Sequence, residues 1–202
     1  MHRLKPALQV LMRPWARWAA RRGVTANQVT MVALAGSCAV GAALAVVGPW
    51  FTVVWLLLPA WMLVRMALNA LDGLLAREHG HGSRRGVYFN ELADVASDAA
   101  LILPFTVRAE LWPSWVVAAA LLASWTELAG VLGLAVGATR RFEGPMGKAD
   151  RALALGLAGA WMGWTGAALP FAPLLQVGFV ALLALTVLRR VRYGLADAGG
   201  AP

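Results

Sequence analysis

Six stretches of this chain are long and apolar enough to cross a membrane, at 29–47, 50–76, 87–107, 112–137, 152–169 and 171–188. Each is near or above the roughly 20 residues that carry an α-helix through about 30 Å of hydrocarbon. Inside the bilayer no water is available to backbone N–H and C=O groups, so each segment must bond its own, which a helix does. The expected fold is therefore all-α and integral to the membrane, with six transmembrane helices preceded by an N-terminal amphipathic surface helix. A composition of 60% apolar and only 14% charged residues, with ten Trp in 202 positions, excludes an ordinary soluble domain.

The net charge of +8 could point to nucleic acid, but its distribution points to the bilayer. Arg3, Lys5, Arg13, Arg17, Arg21 and Arg22 precede the first segment, and Arg77, Arg84 and Arg85 lie between the second and third. Arg140, Arg141, Lys148 and Arg151 lie between the fourth and fifth, Arg189, Arg190 and Arg192 follow the sixth, and the opposite loops hold only Arg108. This positive-inside pattern places both termini and the loop near residue 80 on the cytoplasmic side. Between Arg3 and Arg22, Leu4, Leu8, Leu11, Trp15 and Trp18 recur at helical spacing beside a stripe of Arg13, Arg17 and Arg21, as in a helix lying on the membrane surface. Gly23 ends it, and Thr25 with Gln28 has the form of a capping box. The expected division is a juxtamembrane helix at 1–24, a transmembrane domain at 25–193 and a disordered tail at 194–202. Cys38 alone allows no internal disulfide, and no cleavable signal is expected.

Polar residues interrupt the apolar pattern at 69–98. Asn69, Asp72 and Ala76 share one helix face, and Asn90, Asp94 and Asp98 share another. A carboxylate in a membrane segment costs roughly 2.5–3.5 kcal/mol, so a cluster of them requires partners, a metal or a watery cavity. A functional site is expected; the alternative is a polar network that only locks helix packing. Arg65 lies on the face of Asn69 and Asp72, about 18 Å from the cytoplasmic end of its helix, with Asp98 at about 18 Å and Glu127 at about 16 Å along theirs. Arg65 is expected to pair with Asp98, Glu127 or both. The loop at 139–151 sets Arg141, Lys148 and Arg151 beside Gly144 and Gly147, which suits a phosphate-bearing substrate, although headgroup-facing orientation charges would look alike. Glu78, His79 and His81 are read as a polar turn. Gly133-x-x-x-Gly137 and Gly159-x-x-x-Gly163 have the spacing of close helix packing.

The stretch reads Asn69-x2-Asp72-Gly73-x2-Ala76-Arg77-x8-Gly86-x3-Asn90-x3-Asp94. It resembles the D-x2-D-G-x2-A-R-x8-G-x3-D-x3-D signature of the CDP-alcohol phosphatidyltransferase family, with every spacing kept and Asn at two of the four Asp positions. The resemblance implies an enzyme of phospholipid biosynthesis in the bacterial inner membrane, a homodimer with a cytoplasmic site. It would transfer a phosphatidyl group from a CDP-linked lipid, with CDP-diacylglycerol the expected donor, to an acceptor alcohol and release CMP. By the same resemblance Asp72 is a metal ligand and Asp94 the general base and a ligand, with one or two Mg2+ or Mn2+ ions as cofactor. Asn69 and Asn90 would offer neutral oxygens, and Glu91 could restore a lost charge. Substrate contacts are expected from Asn27, Gly73, Ala76, Arg77 and Gly86, with Arg141, Lys148 and Arg151 on the acceptor. The alternatives are a small intramembrane metal or proton transporter and a catalytically weak CDP-lipid-binding homologue.

Overall fold

The computed structural model describes residues 4–199, with side chains from residue 9 onward. The described residues form α1 (Leu4–Arg21), α2 (Ala26–Val46), α3 (Leu57–Glu78), α4 (Arg84–Ile102), α5 (Pro113–Ala135), α6 (Lys148–Thr165) and α7 (Ala172–Ala198). Short 3-10 turns at Thr52–Leu56 and Leu103–Val107 precede α3 and follow α4, and no strand occurs among the described residues. Four helices are long and apolar enough to cross a membrane: α2, the run Thr52–Glu78 that contains α3, α5 and α7. The segments expected as the third and fifth crossings form the helices α4 and α6, which are not among those four: Arg84, Arg85, Glu91, Asp94 and Asp98 in one, and Lys148, Asp150 and Arg151 in the other, dilute their apolar character.

α1 lays Ala16 and Ala19 inward against α3 and leaves Leu11, Trp15 and Trp18 more than half exposed. The Leu4 and Leu8 side chains of the expected stripe fall outside the described residues. Gly23 turns the chain at φ +74°. Thr25 then caps α2: its hydroxyl accepts the Gln28 N–H at 3.3 Å while Gln28 Oε1 accepts the Thr25 N–H at 2.9 Å.

The main core joins Leu44, Trp55, Leu58, Leu101, Met162 and Leu183 from several helices. α2 packs on both α3 and α4, α5 packs on α4 and α7, and α6 packs on α3. At Gly41 the α2 backbone passes so close to α4 that an added Cβ would lie 2.1 Å from the Ala100 carbonyl oxygen. Gly159 and Gly163 seat α6 on Leu56 and Leu58 as their spacing suggests. Gly133 instead faces the Thr139 and Arg141 loop, and Gly137 is a turn residue at φ +81°.

Two boundaries differ from expectation. The Gly147 N–H donates to Asp150 Oδ2 at 3.1 Å, which starts α6 early and puts Lys148 and Arg151 in its first turn, not in a loop. α7 continues through the expected tail as far as Ala198 because Asp197 accepts from the Thr139 N–H at 3.0 Å and from Arg141 at 2.8 Å. The final residues, 200–202, fall outside the described ones.

Candidate active site

The two halves of the signature sit on α3 and α4, each packed on α2. A small second core of Ala19, Ala26, Val29 and Leu75 clamps the start of α2 to the end of α3. That clamp brings the Thr30 hydroxyl to Asp72 Oδ2, to which it donates at 3.1 Å. Asp72 and Asp94 are both buried. The charges of Asp94 and Lys148 both act on Asp72.

Asp94 is heavily engaged. Lys148 Nζ donates to its Oδ2. Arg65 approaches its Oδ1 at 3.6 Å and donates to its main-chain carbonyl at 3.2 Å. Arg65 also donates to Asp98 Oδ1 at 2.6 Å, one of the two partners expected for it. Glu127, the other, belongs instead to Arg151, at 2.8 Å. Asn69 and Asn90 are half-buried one turn from Asp72 and Asp94. Neither amide makes a side-chain hydrogen bond to another described residue.

Three expectations change. Glu91, expected to complete a metal site, is held in a forked pair by Arg140, whose Nη2 donates to its Oε2 at 2.9 Å. Arg151, expected on the substrate, is only 1% exposed. Its guanidinium donates to Asp98 at 2.6 Å, Glu127 at 2.8 Å and Thr126 at 2.8 Å, so no donor is left for an acceptor molecule. Arg141 is likewise taken, pairing with Glu143 at 2.9 Å and Asp197 at 2.8 Å. Long side chains at a crowded surface find carboxylates of their own chain first. Lys148 belongs with Asp94, as above.

The remaining residues expected at the substrate pack as follows. The Arg77 guanidinium lies over Gly73, where an added Cβ would meet Nη2 at 2.8 Å. At Gly86 an added Cβ would meet Asn27 Oδ1 at 2.9 Å, so absence of a side chain there lets Asn27 of α2 lie against the start of α4. Ala76 is half-buried on the same α3 face. Glu78 pairs with Arg13 at 3.3 Å, which fits the polar turn read for 78–81. Sequence reasoning missed Thr30, Thr126 and Arg190. Arg190, read as an orientation charge, is 2% exposed and meets Glu127 at 3.6 Å. Only its position on the inward face of α7 could have signalled that.

Among the described residues no three acidic, histidine or cysteine side chains gather into a metal-binding group. The amides at positions 69 and 90 account for this, since they leave two signature carboxylates. The oxygens of Asp72, Asn69 and Asn90 are of the kind that Mg2+ and Mn2+ take as ligands.

The profile of the CDP-alcohol phosphatidyltransferase family matches residues 23–192. Inner membrane protein YnbA of Escherichia coli K12 is 41% identical over 171 residues, 81% of this chain and 84% of that protein. Mycobacterium tuberculosis phosphatidylinositol phosphate synthase, PgsA1, has the same fold in two crystal structures at 20% identity. The form with CDP-DAG bound superposes with a TM-score of 0.70 over 94% of each chain. The complex with manganese and citrate gives 0.71 over 94% of this chain and 89% of that one. With its signature spacing intact across α3 and α4 and the family profile spanning its helical bundle, this integral membrane protein belongs to the CDP-alcohol phosphatidyltransferase family.

Proposed function

We propose that the protein transfers a phosphatidyl group from CDP-diacylglycerol to an acceptor alcohol and releases CMP, in six crossings of a bacterial inner membrane with both termini and the chamber cytoplasmic. The observation that carries this is the pair of buried signature carboxylates, Asp72 and Asp94, with the Lys148 ammonium on Asp94. The donor's acyl chains stay in lipid while its diphosphate enters between α3 and α4. Asp94 takes the proton of the acceptor hydroxyl, whose oxygen attacks the lipid-side phosphorus in line. The phosphorus–oxygen bond to CMP breaks, and the new ester is a phosphodiester. Arg65, fixed by Asp98, positions Asp94 through its main-chain carbonyl. Arg77 over Gly73 and Asn27 beside Gly86 line the entry for the nucleotide end. A Mg2+ or Mn2+ held by Asp72, Asn69 and Asn90 supplies neutralisation of diphosphate charge. The manganese in the PgsA1 complex supports that cofactor. A homodimer is the proposed assembly.

The deeper acids Asp98 and Glu127 are each held by arginine. That suits a structural network and not a row of exchangeable ion sites, which argues against a transporter. The test is purified protein with CDP-diacylglycerol, Mn2+ and a panel of polyols and phosphorylated polyols, with lipid products read by mass. Appearance of a phosphodiester with stoichiometric CMP is the expected result. CDP-lipid binding without any product across the panel would make the protein a binding homologue.

A further inference from the structure

We infer that Lys148 is a built-in second cation of this site, doing with an ammonium what a second divalent ion would otherwise do. This rests on the phosphatidyltransferase reading above. Four basic side chains come from the segment after α5, and each meets a carboxylate: Arg140 takes Glu91, Arg141 takes Asp197, Arg151 takes Asp98 and Glu127, and Lys148 takes Asp94. Among them Lys148 alone ends on a carboxylate of the signature. It is carried there by the early start of α6, where Gly147 and Asp150 close the first turn.

The charges make the case. Two carboxylates, Asp72 and Asp94, balance one divalent ion, and the amides Asn69 and Asn90 contribute oxygens without charge. With the ammonium, one divalent ion already exceeds the two carboxylates by a single positive charge, which an arriving diphosphate can offset. A second ion would add two more charges in a partly buried site, where like charges repel strongly. Glu91, next to Asn90 in the chain, is already paired with Arg140, and Asp98 with Arg65 and Arg151. Lys148 also differs from its neighbour Arg151 in freedom. Its side chain is 35% exposed against 2% for Arg151, so it can leave Asp94 for an arriving diphosphate and free Oδ2 for the acceptor proton. A flexible four-carbon stem with a compact charge suits that movement better than a fixed guanidinium fork.

The experiment is Mn2+ titration of the purified full-length chain in detergent micelles, with free ion read by electron paramagnetic resonance, with and without CDP. Wild type is expected to hold one Mn2+ per protomer. Lys148→Met is expected to bind Mn2+ about tenfold more tightly without CDP, because the competing ammonium is gone, and to bind CDP about tenfold more weakly at saturating Mn2+. Lys148→Arg, which keeps the charge, is expected to stay within about threefold of wild type in CDP affinity. Two Mn2+ per wild-type protomer with CDP binding intact would overturn the role of Lys148 and leave the transferase reading standing. Unchanged Mn2+ affinity in a folded Lys148→Met, checked by its thermal melt, would do the same. Failure of wild type to bind CDP at any Mn2+ concentration would overturn both.

Discussion

At the scale of single residues, chemistry concentrates on Asp94, the carboxylate that meets both the Lys148 ammonium and the Arg65 guanidinium. Asp94→Asn keeps the size of the side chain and can still accept from Lys148, while Arg65 keeps Asp98 and the main-chain carbonyl of residue 94, so the helices should pack as before. It cannot take a proton, and CMP release should fall by about a hundredfold or more, the usual share of a positioned base. Single-turnover assays with CDP-diacylglycerol and Mn2+ check this, with a thermal melt to show that folding is retained. The resemblance pointed to Asp72 and Asp94 through spacing alone. Glu91 could not be placed that way, because a glutamate next to Asn90 has reach enough for either a metal or an arginine, and Arg140 arrives from a loop about fifty residues away in sequence.

At the scale of elements, close backbone approach holds α2 to α4. Replacing Gly41 by Ala improves helix propensity by up to about 1 kcal/mol. Its Cβ would nevertheless fall 2.1 Å from a backbone oxygen of Ala100. Overpacking of that kind typically costs about 1–3 kcal/mol, so Gly41→Ala should lower stability and Gly41→Leu lower it further. Gly178 in α7 has nothing within 4 Å of an added Cβ. Gly178→Ala should therefore shift the melt the other way, and comparison of these variants in one detergent separates packing from propensity. Thr25→Ala removes one half of the α2 capping box and should cost about 1 kcal/mol in the same measurement. That cap was legible in the sequence because it needs only residues three apart, whereas the early start of α6 depended on Gly147 and Asp150 inside what read as a loop.

At the scale of the whole molecule, a buried ionic network ties the helices together. Asp98 on α4 joins Arg65 of α3 to Arg151 of α6, and Glu127 on α5 joins Arg151 to Arg190 of α7. Asp98→Asn would leave two buried guanidinium groups short of their shared carboxylate, and breaking a buried pair from one side costs about 3–5 kcal/mol. The variant should unfold well before wild type on heating, and Asp98→Asn combined with Arg65→Met should recover part of the loss. The same network explains why Arg151 and Arg190 are unavailable to a substrate, although their positions at the ends of apolar segments suggested surface charges.

The sequence by itself determined the properties that arise within one segment: helices of crossing length, the entry cap at Thr25, the faces that carry Asn69 with Asp72 and Asn90 with Asp94, and the family signature. Those depend on apolar run length and the 3.6-residue period, which neighbouring residues set. Only the tertiary structure decided which cation meets which acid. Arg65, Asp98 and Glu127 stand at nearly equal depth by residue count, so distance along the helices left the pairing open. Rotation of α4 and α5 against α3 and α6 gave Asp98 to both Arg65 and Arg151, and gave Asp94 to Lys148. Depth is written along a helix, but partnership depends on how helices are turned toward one another.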